Sequence, residues 1–343
     1  MEYTDKNLFK YGTNIESGAK VLINRKQMYP HWFIFGKDDR KKFTRSELCD
    51  ISISTTDDMI IIDPYNTYKL TDMGSSIATV NPFTIGRYAI NPLDIVKRPD
   101  TPEGESYVLD IKEETVISIL TSMAGRDLTI DEKRGIDRAV TETYESVKDF
   151  VLDDVMARFR NNEKLTEEGK KLVEAYDSSK LTPYLNERTL MPDTRILIIT
   201  FEGVPEKLHD ICYTVCIQYI IDRLKQGQEN RRYTWAYLDG IDKFLKGPVT
   251  GPLMVLSKMA RKYWGILTFS ADQMADVNRS QYGIALMQNS GGFCFFNQSE
   301  ESFKCMKEHF HVPSDMQKYA FSKGDSDISL LCCEMNWIPL HHL

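Results

Sequence analysis

Short runs of apolar residues alternate along the chain with longer stretches in which apolar residues recur at helical spacing. Many of these runs are rich in Ile, Val, Phe and Leu and have the length of β-strands: residues 20–24, 32–36, 57–63, 195–201, 234–239, 265–270, 292–298 and 328–335. Several are apolar at every position, as in parallel strands that are buried on both faces. The pattern predicts an α/β fold with a mainly parallel sheet and helices on both of its faces.

The pattern changes between Pro99 and Met191, where helical periodicity continues without a convincing strand. Thr129 and Glu132 have the spacing of a capping box at the start of one of these helices. We therefore predict an α/β core formed by residues 1–99 and 191–343, with an all-helical insertion subdomain at 100–190.

Composition narrows the class of protein. The chain has 343 residues, 42% of them hydrophobic, which is enough for a large core. Its net charge of −7 argues against a general nucleic-acid binder. No apolar run approaches the roughly 20 residues of a membrane helix, and the first residues lack the pattern of a signal peptide. Cys212 with Cys216 and Cys332 with Cys333 are expected to be core thiols of a protein in a reducing cytosol.

Ligands of open parallel sheets bind beyond the carboxyl ends of the strands, so the residues after each strand are candidates for chemistry. The first such place is “GKDDRKKF”, which begins at Gly36. A phosphate-binding loop reads G-x-x-x-x-G-K-[ST]. In that register Lys42 matches, but Lys41 replaces the second glycine and Phe43 replaces the hydroxyl that holds Mg²⁺. Asp38 and Asp39 would repel a triphosphate, and Arg40 with the two lysines could offset that repulsion.

The second place is the end of the run “TWAYLD”, at Asp239. In P-loop NTPases an aspartate here accompanies the metal, and a following glutamate orients water. Here the next residue is Gly240, and Asp242 is a weaker candidate for a base. The alternative interpretation is that Asp239 caps the following segment or bonds to a neighbouring loop.

In this order the segments resemble the C-terminal motor domain of the conjugation ATPases of type IV secretion systems, the VirB-four class. The resemblance extends over nearly the whole chain, through “YGTNIESGAKVLINRK”, “MIIIDPYNTY”, “INPLDI”, “WAYLDGIDKFL”, “ARKYWGILTFSADQMADV”, “LMQNSGGFCFFNQ” and “DISLLCCEMNWIPLH”. It implies a RecA-like, P-loop NTPase-like fold and a longer parent protein with a further N-terminal domain.

The chain departs from this family on the phosphate side of the site. The family's phosphate loop is complete, and its glutamates after Asp63 are replaced here by Tyr65 and Thr67. Asp272 stands where the family has a glutamine that senses the terminal phosphate, with Gln273 one position late. The resemblance therefore marks a set of vestigial nucleotide-binding positions: Gly36, Lys41, Lys42, Asp63, Asp239 and Asp272.

The resemblance and these losses together imply a catalytically degenerate subunit, a pseudo-ATPase, of a bacterial conjugative or type IV secretion apparatus. It would act as a scaffold or regulator, with no functional catalytic residue, no cofactor and no metal. The rival hypothesis is a divergent active ATPase that powers conjugative DNA or protein transfer with ATP and Mg²⁺, using Lys41 or Lys42. A nucleic-acid-handling module is a third hypothesis, which the acidic balance disfavours.

The resemblance also implies partners. They are other subunits of the secretion machinery, in a homo-oligomer or a mixed hexamer with the full-length parent, at the cytoplasmic face of the inner membrane. Arg261 is a candidate arginine acting in trans on a neighbouring subunit, or alternatively a ligand of a helix C-terminus. We expect no metal at the histidines: His309 and His311 lie where a helix ends, and His341 begins a terminal tail with His342.

Overall fold

The computed structural model describes residues 8–27, 31–37, 39–68, 77–84, 86–96, 98–162, 165–321, 327–333 and 336–342. Its strands form one sheet of 11 strands in the order β2-β1-β11-β10-β9-β3-β8-β7-β4-β6-β5. The strands are β1 (Phe9–Asn14), β2 (Lys20–Ile23), β3 (Trp32–Phe35), β4 (Asp58–Asp63), β5 (Ile77–Val80), β6 (Ile196–Thr200), β7 (Thr234–Leu238), β8 (Gly265–Ala271), β9 (Gly292–Phe295), β10 (Ile328–Cys333) and β11 (Asn336–His341).

The pairings divide the sheet into two parts. Strands β9, β3, β8, β7, β4, β6 and β5 run parallel to their neighbours in that order. From β9 outward, β10, β11, β1 and β2 pair antiparallel. The mainly parallel α/β sheet predicted from the sequence is therefore confirmed, with an antiparallel extension on one side.

Helices cover both faces of this sheet. They are α1 (Arg40–Ser54), α2 (Pro102–Ala124), α3 (Ile130–Ser146), α4 (Leu152–Arg160), α5 (Glu167–Ser178), α6 (Thr182–Leu185), α7 (His209–Glu229), α8 (Thr250–Met259), α9 (Met274–Asn278), α10 (Gln281–Gln288), α11 (Glu300–His309) and α12 (Gln317–Ala320). Side chains alternate along each strand, so the two faces have separate cores. In β3, Phe33 and Phe35 belong to the core that contains α7, whereas Trp32 and Ile34 pack with Phe43 of α1.

Every apolar run predicted as a strand contributes to one, and Glu334 and Met335 of the last run lie outside the described residues. Three strands were not predicted. β5 is short and partly exposed, β1 contains a register shift beside Gly12, and β11 contains Pro339, so none has a continuous apolar run. The expectation of a terminal tail at His341 was wrong: His341 ends β11, and His342 is buried.

Between residues 100 and 190, the described part of the chain forms helices α2 to α6 and no strand. The predicted capping box is present, because Thr129 Oγ1 accepts from the Glu132 amide at 3.2 Å and the Glu132 carboxylate accepts from the Thr129 amide at 2.7 Å. Residues of these helices belong to the same hydrophobic core as α7 and one face of β3. The division of the chain into a core and an insertion subdomain stays a prediction.

The four cysteines expected to be core thiols are buried. Cys212 and Cys216 are buried on α7, and Cys332 and Cys333 are buried in β10. Burial raises the pKa of the Cys212 and Cys216 thiols, which keeps them protonated and unreactive.

Candidate functional site

The candidate site lies at the carboxyl ends of β3, β8 and β7, which are neighbours in the sheet. Gly36 follows β3, Asp272 follows β8 and Asp239 follows β7, and α1 begins at Arg40 a few residues after Gly36. Gly36 has a φ of 150°, and a Cβ added there would lie 2.6 Å from Cβ of Phe296. Glycine is therefore required at this turn both by the backbone conformation and by the packing of Phe296.

Arg40 is the residue that brings these strand ends together. Its Nε donates to Oδ1 of Asp239 at 2.8 Å, and its guanidinium also forms an ion pair with Asp272. The same side chain donates to the carbonyl oxygens of Gly36 at 3.0 Å and Lys37 at 2.6 Å. The Ser270 hydroxyl donates to Asp239 as well. The guanidinium thus lies between the two aspartates and the loop that the sequence marks as vestigial nucleotide-binding positions.

The carboxylates around Arg40 favour the charged form of its guanidinium. Burial by itself would lower the pKa of Arg40, but the carboxylates of Asp239 and Asp272 outweigh that effect and raise it above the ordinary value. Half-buried Asp242, on the turn after β7, has its pKa raised to about 6. Burial is the main cause, and the Asp272 carboxylate adds to it.

Asp63, at the end of β4, accepts hydrogen bonds from the turn that follows this strand. Its carboxylate accepts from the Thr67 hydroxyl at 3.0 Å and from the Tyr68 amide at 2.8 Å. Burial raises the pKa of Asp63, and the nearby Asp239 carboxylate adds to the effect. The Tyr68 hydroxyl donates to Oγ1 of Thr44 at 3.2 Å. Thr44, which sequence reasoning missed, is thus the α1 hydroxyl that reaches this group of residues.

Phe43 does not face the carboxylates. It is fully buried, and its ring centroid lies 4.9 Å from that of Tyr11, 5.8 Å from that of Trp32 and 6.4 Å from that of His342. The position where the motif requires a hydroxyl for Mg²⁺ therefore carries a core side chain.

The two lysines of the loop lie on the first turn of α1. Lys42 forms an ion pair with Asp327, which precedes β10, and the contact lowers the pKa of that carboxyl. Lys41 is partly exposed on the same turn. Asp38 lies outside the described residues.

Of the other candidate positions, Gly240 lies in open space, whereas Gln273 and Tyr65 contact neighbouring residues. Gly240 has a φ of 67° and no heavy atom within 4 Å of an added Cβ. The side chain of Gln273 accepts from the Ser299 amide at 2.8 Å, at the start of α11. Tyr65 donates to Glu206 at 3.2 Å, and its ring lies 4.0 Å from Nζ of Lys243.

Arg261 lies on a short 3₁₀ helix, Ala260–Tyr263, before the amino end of β8 and therefore away from the carboxyl edge. Its Nη2 donates to the carbonyl oxygen of Asn289 at 3.0 Å, at the C-terminal end of α10. This geometry is that of a cation bound to a helix C-terminus. It favours the alternative interpretation of Arg261, and a role in trans stays a prediction.

The family's ligand, Mg²⁺-ATP, does not fit the side chains that this arrangement presents. The Asp239 carboxylate is bound to Arg40, the Phe43 ring lies in the core, and Phe296 fills the space beside Gly36. Among the described residues, no group of three His, Cys, Asp or Glu side chains is arranged to hold a metal ion, and no helix is long and apolar enough to cross a membrane.

Two solved structures share this architecture. VirB4 of Thermoanaerobacter pseudethanolicus superposes with a TM-score of 0.79 and 16% identity, over 98% of this chain and 96% of that one. The chain has the VirB4 fold. The plasmid coupling protein TrwB, in complex with a non-hydrolysable GTP analogue, superposes with a TM-score of 0.64 and 12% identity, over 98% and 94% of the two chains. The RecA-like, P-loop NTPase-like fold implied by the sequence is thus confirmed.

At such low sequence identity, the similarity to these two structures shows a shared fold and nothing more. No model of a protein family matches the sequence, and comparison with curated proteins finds no match either. The similarity to VirB4 is therefore seen in the arrangement of strands and helices and not in the sequence. What the residues at the carboxyl edge can do follows from their own chemistry.

Sequence reasoning identified Gly36, Asp239 and Asp272 as neighbours of one site, and the structure brings them together through Arg40. It considered Arg40 only as one of three charges in the loop. The signal that could have singled it out is that Arg40 is the first helical residue after a strand-loop turn that faces two strands ending in aspartate.

Proposed function

We propose that the chain is a catalytically inactive, motor-like subunit of a bacterial conjugative or type IV secretion apparatus, in which it acts as a scaffold or regulator. The fold shared with VirB4 and TrwB supports a role in this kind of machinery. The protein would work at the cytoplasmic face of the cell membrane, bound to other subunits of the apparatus. It would take no nucleotide cofactor.

The observation that carries the proposal is the burial of Phe43. Mg²⁺ in a P-loop site needs an oxygen ligand at this helix position, and a benzyl ring packed against Tyr11 and Trp32 offers none. The absence of a side chain at Gly240 supports the same conclusion, because nothing at that position can orient an attacking water.

Phosphate release and calorimetric titration with Mg²⁺-ATP test this function. We expect no turnover above background and no heat of binding for the unaltered chain, and the same result for Lys42→Ala. Arg45→Ala is the matched control, since Arg45 is an exposed cation on the same helix. Turnover that disappears in Lys42→Ala but persists in Arg45→Ala would contradict the proposal.

One observation favours the rival, a divergent active ATPase. Arg40, Lys41 and Lys42 place three cations on the first turn of α1, and a helix N-terminus attracts anions. In that case ATP would bind through Lys41 or Lys42 in an unusual loop, and the same titration would give a saturable heat that Lys41→Ala or Lys42→Ala reduces.

A further inference from the structure

The guanidinium of Arg40 is surrounded by oxygen atoms from three separate segments. It contacts the Asp239 carboxylate after β7, the Asp272 carboxylate after β8, and the carbonyl oxygens of Gly36 and Lys37 after β3. We name these four acceptors the oxygen cage. We propose that Arg40 is a tethered cation that fills this cage and joins the three strand ends in place of a bound ligand.

The oxygen cage needs a cation because one of its carboxylates, that of Asp239, is buried. Asp239 is only 2% exposed, and a buried carboxylate without a partner is strongly unfavourable. Nε and Nη2 of Arg40 donate to the two oxygens of that carboxylate, at 2.8 and 3.4 Å. A guanidinium presents its donors in a planar fork that matches a carboxylate in this way, which an ammonium group does not.

The contacts of the third guanidinium nitrogen, Nη1, explain how Arg40 acts as a clamp that holds the three strand ends together. Nη1 of Arg40 is approached by three acceptors: the two carbonyl oxygens of the loop and the Asp272 carboxylate. One nitrogen therefore connects the loop after β3 to the end of β8, while the other two hold the end of β7. Because the cation belongs to the chain itself, this connection forms without any ligand from solution.

Carboxylate and carbonyl oxygens are also the ligands that hard divalent cations prefer. An empty cage should thus accept a free cation of suitable chemistry. This inference rests on the proposed function, since a chain that binds Mg²⁺-ATP would need Arg40 to leave the cage. It is tested without nucleotide, so its failure can be told apart from failure of the proposed function.

The test is chemical rescue of the Arg40→Ala variant, with the melting temperature in thermal unfolding as the readout. We expect the substitution to lower the melting temperature by about 5 °C, because the buried Asp239 carboxylate loses its cation. Guanidinium chloride at roughly 10 mM, and separately MgCl₂ at the same concentration, should restore part of that loss. Rescue at this concentration corresponds to a cation that binds the empty cage with a Kd in the millimolar range. Tetramethylammonium chloride at matched ionic strength should not. The unaltered chain and Arg45→Ala should respond to none of these salts.

A single variant that folds only when one of these ions is added also counts as rescued. In the second variant, Arg40→Ala/Asp239→Asn, the buried charge is removed and only the half-exposed Asp272 carboxylate remains, so this protein should fold and should show no response to guanidinium or Mg²⁺. Rescue by either ion in the single variant, lost in the double variant, supports the proposal. Equal responses of both variants, or no rescue of a folded single variant, would overturn it.

Discussion

The ring of Phe43 packs against the ring of Tyr11 with their centroids 4.9 Å apart, and neither side chain is more than 2% exposed. Restoring a hydroxyl at position 43 therefore removes a core side chain. We expect Phe43→Thr to lower the free energy of unfolding by about 3 kcal/mol or more, as aromatic truncations in cores do. Urea denaturation monitored by tryptophan fluorescence measures this.

Phe43→Leu is the control, because it keeps most of the apolar volume and should cost less than half as much. Combining Phe43→Thr with glycines at Asp39 and Lys41 completes the phosphate-loop motif. This triple variant should not gain Mg²⁺-ATP affinity, because the loss of the Phe43 ring destabilises the packing of α1. A folded triple variant that binds Mg²⁺-ATP would show that the ring is dispensable and that the loop retains its binding geometry.

Gly240 gives a second prediction, because its φ of 67° is a left-handed conformation. Gly240→Glu, which restores the family's carboxylate, should destabilise the protein by about 1 kcal/mol through backbone strain, since no neighbouring atom obstructs a side chain. It should not produce ATP hydrolysis, because Asp239 stays paired with Arg40. Gly240→Asn should cost less, since asparagine tolerates this conformation. A similar loss for both substitutions, measured by urea denaturation, would point to a cause other than backbone strain.

A third prediction concerns Lys112 of α2, which is 2% exposed and has its Nζ 3.8 Å from the Asp222 carboxylate of α7. Burial lowers the pKa of Lys112 to about 8, although Asp222 opposes this effect. Between that value and the ordinary 10.5, the unfolded chain binds more protons than the folded one, so the free energy of unfolding contributed by this group rises with pH.

Lys112→Met/Asp222→Leu, which replaces both members of the pair, separates this effect from other titrations. Below pH 8 this variant should be as stable as the unaltered protein or more so, because well-packed apolar residues often equal a buried ion pair. From pH 8 to about 10.5, the unaltered protein should gain on the order of 2 kcal/mol relative to the variant. Asp222→Ala is the contrasting change, and should destabilise the protein below pH 8. A stability difference that is flat or falls over this range would contradict the assignment.

The parallel part of the sheet, apart from β5, was predictable because its strands are buried on both faces and therefore form continuous apolar runs. β3 and β4 are buried at every position. β11 was not predictable from the same signal, because it lies in the antiparallel extension and contains Pro339 as well as exposed Asn336 and His341.

The candidate site was predictable in its location and not in its contacts. Rules for parallel sheets place Gly36, Asp239 and Asp272 at one edge. The pairing of Arg40 with Asp239 joins residues 199 positions apart, and no local spacing encodes such a contact. Likewise, the sequence shows that Phe43 lacks a hydroxyl, but only its packing on Tyr11 shows that the ring belongs to the core.

The final prediction concerns assembly. In ring-forming motors, a nucleotide bound between subunits stabilises the assembled form by mass action, because it binds that form in preference to the monomer. If Arg40 closes the carboxyl edge, Mg²⁺-ATP has no such effect here. Light scattering at micromolar concentration should therefore give the monomer mass of 39.6 kDa with and without Mg²⁺-ATP. A stable hexamer without nucleotide would show that contacts between the subunits themselves are sufficient for assembly. A hexamer that forms only with Mg²⁺-ATP would instead show that the edge still accepts nucleotide and that the Arg40 clamp opens to admit it.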